Sequence, residues 1–310
     1  MNTPLVSVIL PCYNGEGTVS RTVESVLAQT MQSFELIAVD DGSTDGAGAL
    51  LDRWAGRDAR VRVLHTENGG VARARNAGMA AATGKWLAFV DADDVLLPDA
   101  LSRLLALDDG TAQILCGGFI MRHIDEGNRE QPFVCAHGDL QTVLESLIRG
   151  DSALNPMYAK LYSLSFVRQA GLCVPPGVKV GEDVLFNLEA FAAATAWQMD
   201  DAPVYIYEYG GNSVMTRARA DVYGRSLAML DGIGRFVRVH GMETALFRAH
   251  IDIYLRTLRR DRGRFGAAVA MSREMVAGIT CGVRAGELCA KQRLYYAALR
   301  VLPCLSYFLP

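Results

Sequence analysis

Two aspartates, Asp91 and Asp93, follow an uninterrupted apolar run, Trp86-Leu87-Ala88-Phe89-Val90, with Asp94 directly behind them. Carboxylates two residues apart raise each other's pKa unless a cation offsets their charge. A hard divalent ion shared with substrate phosphates meets that need, and Mg2+ and Mn2+ both suit such oxygen ligands. A solvated acidic loop ahead of a helix near Pro98 and Asp99 is the other use for the same residues. Two further loops carry usable chemistry, Pro11-Cys12-Tyr13-Asn14 and Asp40-Asp41-Gly42-Ser43. An aromatic can stack on a base, and a carboxylate can accept its N–H or a ribose hydroxyl. Together with the acidic pair, these loops predict a nucleotide diphosphate site. A dinucleotide site is disfavoured, because Gly46-Ala47-Gly48 lacks the third glycine and follows an acidic turn; there is no Walker lysine motif either.

These loops need strands to aim them. Residues 5–10, 34–39, 61–64 and 86–90 are β-branched or continuously apolar, as strands buried on both faces are. Between them lie helical patterns: Val19, Val23, Val26 and Leu27; Leu50, Leu51 and Trp54; and an Ala-rich stretch over residues 71–82. Strands alternating with helices imply right-handed βαβ crossovers and a parallel, doubly wound sheet. In such a sheet ligands bind beyond the carboxyl ends of the strands, where all three loops fall. Further on, the pattern predicts a helix from Pro98, a strand over residues 114–121 interrupted by Gly117-Gly118, and a loop over 123–131. It then predicts a helix over 140–148, a break at Pro175-Pro176-Gly177, a helix opened by Gly181-Glu182-Asp183, and a strand over 204–209. From about Asp221 the patterning is helical throughout.

The composition, 50% hydrophobic and 21% charged over 310 residues, is that of a folded globular chain. Its net charge of −3 conceals an asymmetry, with 15 Lys and Arg against 27 Asp and Glu up to residue 216 and 16 against 7 beyond it. A basic C-terminal third suits either anionic headgroups or the solvated faces of amphipathic helices. Seven cysteines without a C-x-x-C pair argue against a disulfide framework and a zinc site. Met1-Asn2-Thr3-Pro4 opens without a basic or apolar leader, so the chain is expected in the cytoplasm. Nothing points to nucleic acid as a partner. No run reaches the roughly 20 apolar residues of a spanning helix. Residues 294–310, flanked by Lys291 and Arg293, are read either as an interfacial helix at the inner membrane surface or as a helix packed on the globular body.

Five motifs in order carry a resemblance: Val6-Ser7-Val8-Ile9-Leu10-Pro11-Cys12-Tyr13-Asn14, Val39-Asp40-Asp41-Gly42-Ser43-Thr44-Asp45, Asn68-Gly69-Gly70 followed by Ala74-Arg75-Asn76-Ala77-Gly78, Phe89-Val90-Asp91-Ala92-Asp93-Asp94, and Gly181-Glu182-Asp183. The sequence resembles family 2 glycosyltransferases, strongly over residues 5–100 and as far as about 216. The resemblance implies a GT-A fold, a Rossmann-like α/β architecture whose mostly parallel central sheet is flanked by helices. It divides the chain into a nucleotide-sugar-binding and catalytic domain at 1–216 and a helical appendage at 217–310.

The resemblance implies that Pro11, Asp40 and Asn68 contact the uracil end of a UDP-sugar, with Tyr13 shaping the pocket and Asp41 beside it. Arg75 then lies near the sugar or diphosphate, Asp91 near the ribose or sugar, and Asp93, with Asp91, on Mn2+ or Mg2+. Asp183 matches the general base that deprotonates an acceptor hydroxyl, with Glu182 as its alternative. Lys160 and residues 213–217 resemble positions near the acceptor or diphosphate. The implied reaction is inverting transfer of a single sugar to a hydroxyl of a saccharide or lipid-linked saccharide, giving a β-linkage in surface polysaccharide assembly. The Q-x-x-R-W signature of processive members is missing. A non-catalytic sugar-nucleotide-binding scaffold subunit and a nucleotidyltransferase stand as alternatives, and homo-oligomerisation is left open. None of the five histidines receives a role.

Overall fold

The structure is a computed structural model describing residues 3–150, 152–178, 180–210, 222–242 and 244. Four parallel strands, β1 (Val6–Cys12), β2 (Phe34–Asp40), β3 (Val61–His65) and β4 (Trp86–Phe89), lie in the order β3-β2-β1-β4. Helices α1 (Val19–Leu27), α2 (Ala47–Arg57) and α3 (Val71–Ala81) connect them. Every residue of β1 and β2 is buried, which requires cover on both sheet faces. The chain moves outward from β1 to β3, then returns to place β4 on the other side of β1, so the winding direction reverses between β1 and β4. Such a reversal opens a crevice beyond the strand ends. Pro11 falls in that opening: β4 pairs with β1 only as far as Ile9 opposite Phe89, so the amide that proline lacks is not needed on that side.

The second half adds β5 (Val95–Leu96), α4 (Ala100–Leu105), β6 (Ile114–His123), a 3-10 turn (Ile124–Glu126), β7 (Arg129–Phe133), α5 (Leu140–Arg149), β8 (Lys160–Ser163), α6 (Leu164–Gln169), α7 (Glu182–Ala193), β9 (Trp197–Tyr209) and α8 (Val222–His240). Strand β8 joins antiparallel between β4 and β6, while β9 runs parallel to β6 and antiparallel to β5. The result is one nine-stranded sheet, with β7 as a hairpin partner of β6.

Three sequence expectations need correction. The span 123–131, expected as a loop, holds the 3-10 turn and much of β7. Four of the five β7 residues are exposed, so no apolar alternation marks the strand. Gly127 and Asn128, both left-handed, close the hairpin. Strand β9 begins at Trp197, well before the expected residue 204; the adjacent acids Asp200 and Asp201 followed by Pro203 interrupt the alternation of its first half. Gly117-Gly118 bulges β6 without breaking it. The short elements β5, β8 and α6 were not read from the sequence, being two to six residues long.

Aromatic packing fixes α7 against the sheet. Phe186 meets Phe89 of β4 and Tyr162 of β8 edge-on, at centroid distances of 6.3 and 5.4 Å. Each such contact is worth about 0.5–1.5 kcal/mol beyond the area it buries. Helix α8 lies across α7 and buries Ile233, Phe236 and Val237 in the same core. The expected boundary at residue 216, residues 213–217 and the span 294–310 fall outside the described residues. Cys12, Cys116 and Cys135 are buried free thiols and Cys173 is an exposed one.

Candidate active site

The loops after β1 and β2 are sewn into one rim. The Asn14 amide donates to Ser43 Oγ at 3.0 Å, and Thr44 N donates to Asn14 Oδ1 at 2.8 Å. Asn14 accepts a left-handed φ of 53° to do this. Tyr13 stands 52% exposed on the rim, its ring presented to solvent. Asp40 and Asp41, adjacent in sequence, serve different ends. Asp40 accepts from Ser43 N and from His65 Nδ1, both at 3.0 Å. Burial pushes its carboxyl up, but Ser43 and His65 outweigh that and hold it below its ordinary value. Asp41 takes the Gly69 and Gly70 amides at 2.9 and 2.8 Å, placing a carboxylate at the positive end of α3. Its partners are thus these two amides and, at 3.4 Å, the Thr66 hydroxyl, and it shapes the turn that presents the exposed Asn68. His65, which received no role from the sequence, bridges Asp40 to Asp52.

Helix α3 approaches β1 closely. A Cβ on Gly78 would lie 2.4 Å from Ile9 Cγ2, so only glycine allows this distance. That approach brings Arg75, 5% exposed, beneath the crevice. Its guanidinium donates to Asp91 Oδ1 and to Glu182 Oε1, each at 2.8 Å. Motifs separated widely in sequence are thereby joined through one buried cation. Glu182 is engaged by this pairing, whereas among the described residues the hydrogen-bond partner of the Asp183 carboxylate is the Val184 amide, at 2.9 Å. Asp183 keeps some exposure yet is densely surrounded. Burial and the neighbouring Glu182 raise its carboxyl to about 7, against the opposing pull of Arg75 and the Val184 N–H.

The acidic loop is held from behind. Asp94, fully buried, accepts the Tyr205 hydroxyl at 2.7 Å and the Glu208 amide at 3.0 Å. Thr22 Oγ1 donates to the carbonyls of Ala92 and Asp94, and Arg21 to that of Asp93. The third acid is therefore an anchor, and the first two remain for ligand chemistry. Tyr205, Thr22 and Arg21 were not found from sequence. Only the aromatic alternation around Tyr205 hinted at one of them.

Do these residues suit a divalent cation? Asp91 is already partly neutralised by Arg75. The Asp93 side chain forms no ion pair among the described residues, and burial together with Asp91 pushes its carboxyl up to about 6. A cation would relieve that repulsion. Among the described residues no three His, Cys, Asp or Glu side chains gather as a metal site, so protein ligands alone would not suffice. One or two carboxylates completed by substrate phosphates is a usual arrangement for Mg2+. The residues fit on those terms.

Lys160, expected near the acceptor or diphosphate, has a different placement. Its ammonium is sealed from solvent and donates to the carbonyls of Ala153 and Pro156 at 2.7 Å and to that of Tyr158 at 3.4 Å. Three donors meet three acceptors, which leaves none for a ligand.

Comparison with known proteins agrees with this geometry. Residues 7–156 match the family described as Glycosyl transferase family 2. EpsJ of Bacillus subtilis, named as an uncharacterized glycosyltransferase, is 34% identical over 216 residues, covering 68% of this chain and 63% of EpsJ. The chain thus spans slightly under two thirds of that relative. TuaG of the same organism, named as a putative teichuronic acid biosynthesis glycosyltransferase, is 33% identical over 58% of this chain and 69% of TuaG. The chain belongs to glycosyltransferase family 2. Among solved structures, S. aureus TarS 1-349 in complex with UDP-GlcNAc superposes with a TM-score of 0.72 at 19% identity, covering 96% of this chain and 87% of that one. The mannosyltransferase PcManGT of Pyrobaculum calidifontis, in complex with GDP-Man and Mn2+, gives 0.56 at 15% identity, over 99% and 88%. The fold is GT-A. Among the described residues no helix is long and apolar enough to cross a membrane.

Proposed function

We propose that the chain is an inverting, metal-dependent glycosyltransferase that moves one sugar from a UDP-sugar to a hydroxyl of a saccharide or lipid-linked saccharide, in surface polysaccharide assembly. The observation that carries this reading is the buried Arg75, which ties Asp91 of the acidic loop to Glu182 at the start of α7 and leaves Asp183 as the uncommitted acid. Relatives named for polysaccharide work support it, TuaG and the succinoglycan biosynthesis protein ExoO of Rhizobium meliloti among them, as does the TarS complex with UDP-GlcNAc.

In this reading Tyr13, Pro11, Asp40 and Asn68 receive the uracil end, and Asp41 keeps the turn carrying Asn68 in place. A divalent cation, Mn2+ or Mg2+, would be held by Asp93 with Asp91 beside it and supplies charge neutralisation for the departing diphosphate. Arg75 holds Asp91 in its orientation. Asp183 takes the proton of the acceptor hydroxyl as that oxygen forms its bond to the anomeric carbon, on the face opposite the breaking bond to diphosphate. Inversion at an α-linked donor gives a β product. Lys160 acts at a distance here, fixing the backbone of residues 153–158.

The test is a donor panel of UDP-glucose, UDP-galactose, their N-acetyl counterparts and the uronic acid forms, assayed for UDP release with Mn2+ and with EDTA. Release from at least one donor, lost with EDTA and in Asp183→Asn, is expected. Release of pyrophosphate, or an α-linked product, refutes the reading. Binding of UDP with Mn2+ without turnover of any donor, unchanged in Asp183→Asn, would favour a scaffold.

A further inference from the structure

The loop between β4 and β5 has a feature that its own residues do not explain. Each of its last four residues, 91 to 94, has a backbone group held by a side chain from a distant element. The carbonyls of Ala92 and Asp94 accept from Thr22, and that of Asp93 accepts from Arg21, both on α1. The amide of Asp91 is held by a strand 114 residues further along: it donates to the Tyr205 hydroxyl on β9 at 3.1 Å. The same hydroxyl donates to Asp94 Oδ2 at 2.7 Å, and the other oxygen of Asp94 takes the Glu208 amide. Both Tyr205 and Asp94 are fully buried. The Tyr205 ring cannot swing away, being stacked on Tyr158 with centroids 4.2 Å apart and planes within 3°. Directly after the loop, β5 pairs with this stretch of β9, Leu96 opposite Tyr205.

We propose that Tyr205 is the positioning residue of the acidic loop. Its hydroxyl, accepting at Asp91 and donating to Asp94, sets the turn that aims the Asp91 and Asp93 carboxylates. A hydroxyl is the side-chain group that can do both at once, which phenylalanine cannot reproduce and for which a buried amide or carboxylate would need a new partner. The role of Asp94 follows: it is the fixed acceptor that orients the phenol. The proposal rests on the reading that Asp91 and Asp93 serve a metal-bound diphosphate, and its test separates the two ideas.

Tyr205→Phe keeps the stacked ring and removes only the relay. Two measurements on the full chain decide the matter. Hydrogen exchange followed in peptides covering residues 90–95 reports the loop directly. Titration of UDP at increasing Mn2+ reports its effect on the site. In Tyr205→Phe, exchange at 90–95 is expected to accelerate about tenfold or more, and the Mn2+ concentration at half-maximal UDP binding to rise about tenfold. UDP affinity without metal should be unchanged. A lower melting temperature with both readouts unmoved would make Tyr205 merely structural and overturn the proposal. If wild-type protein binds UDP equally with and without Mn2+, the metal reading fails, while the exchange measurement still judges the relay. Should Tyr205→Phe not fold, Asp94→Asn, which leaves the phenol in place and turns one of the two oxygens that accept from Tyr205 and the Glu208 amide into an NH2 donor, is judged by the same two readouts.

Discussion

Asp91 and Glu182 share one guanidinium: Arg75 reaches both at 2.8 Å, from a helix that belongs to neither motif. Removing a buried pair's cation leaves uncompensated charge, at a cost of about 3–5 kcal/mol. The low end applies here because the Asp91 side chain keeps 28% exposure. Arg75→Ala should lose about 3 kcal/mol in urea denaturation. Arg75→Lys should also fail to restore transfer, since an ammonium lacks the fork that spans two carboxylates. Recovery of full activity in Arg75→Lys would mean that charge alone suffices.

Asp183 predicts a pH profile. A base must be ionised to take a proton, and burial with Glu182 raises this carboxyl to about 7. The transfer rate should therefore climb as pH rises through about 7 and then level off. Asp183→Asn should cost about 10²–10⁴-fold and lose that limb. Stability runs the other way. The folded state holds the proton more tightly than an unfolded aspartate with a pKa of about 3.9, so ionisation erodes stability from about pH 4 to pH 7. At pH 8 the Asn variant should melt above the wild type while being inactive.

Asp41→Ala should weaken UDP binding without touching the acidic loop. It strips the Gly69 and Gly70 amides of their acceptors; both lie near solvent, so water can replace the carboxylate and the cost falls on the geometry of the turn rather than on stability. Calorimetry should find lower UDP affinity with an unchanged Mn2+ requirement. A variant that binds UDP as well as wild type would show that Asn68 stays in place without this clamp.

Gly181 has φ +81°, and a Cβ there would come 2.0 Å from Met229 Sδ. Gly181→Ala should lower the melting temperature and reduce turnover, because the residue two positions before Asp183 cannot move alone. Pairing it with Met229→Ala should recover part of the loss. No recovery would place the whole cost in the backbone conformation.

The parallel half of the sheet was legible in the sequence because its strands are apolar on both faces and its loops begin where the apolar runs stop. The acidic pair, Asp183 and the rim residues were legible through their motifs. Part of what escaped depends on partners far away in the chain. Arg75 is expected from its motif near the sugar or diphosphate, but its pairing with Glu182, 107 residues away, shows only in the fold. Asp94 receives no role from the sequence, because its partners Tyr205 and Glu208 lie more than a hundred residues further along. Strand β7 escaped because its exposed residues leave no period to detect, and Lys160 because a lysine that donates to carbonyls looks like one awaiting a phosphate.

That buried ammonium has a practical use. An amine with no path to water cannot meet an acylating reagent while the chain is closed, so the modification rate at Lys160, followed by mass spectrometry, is a clock for the opening of residues 153–158. Donor or acceptor analogues that slow the clock are ones that bind the closed state, whether or not they are turned over.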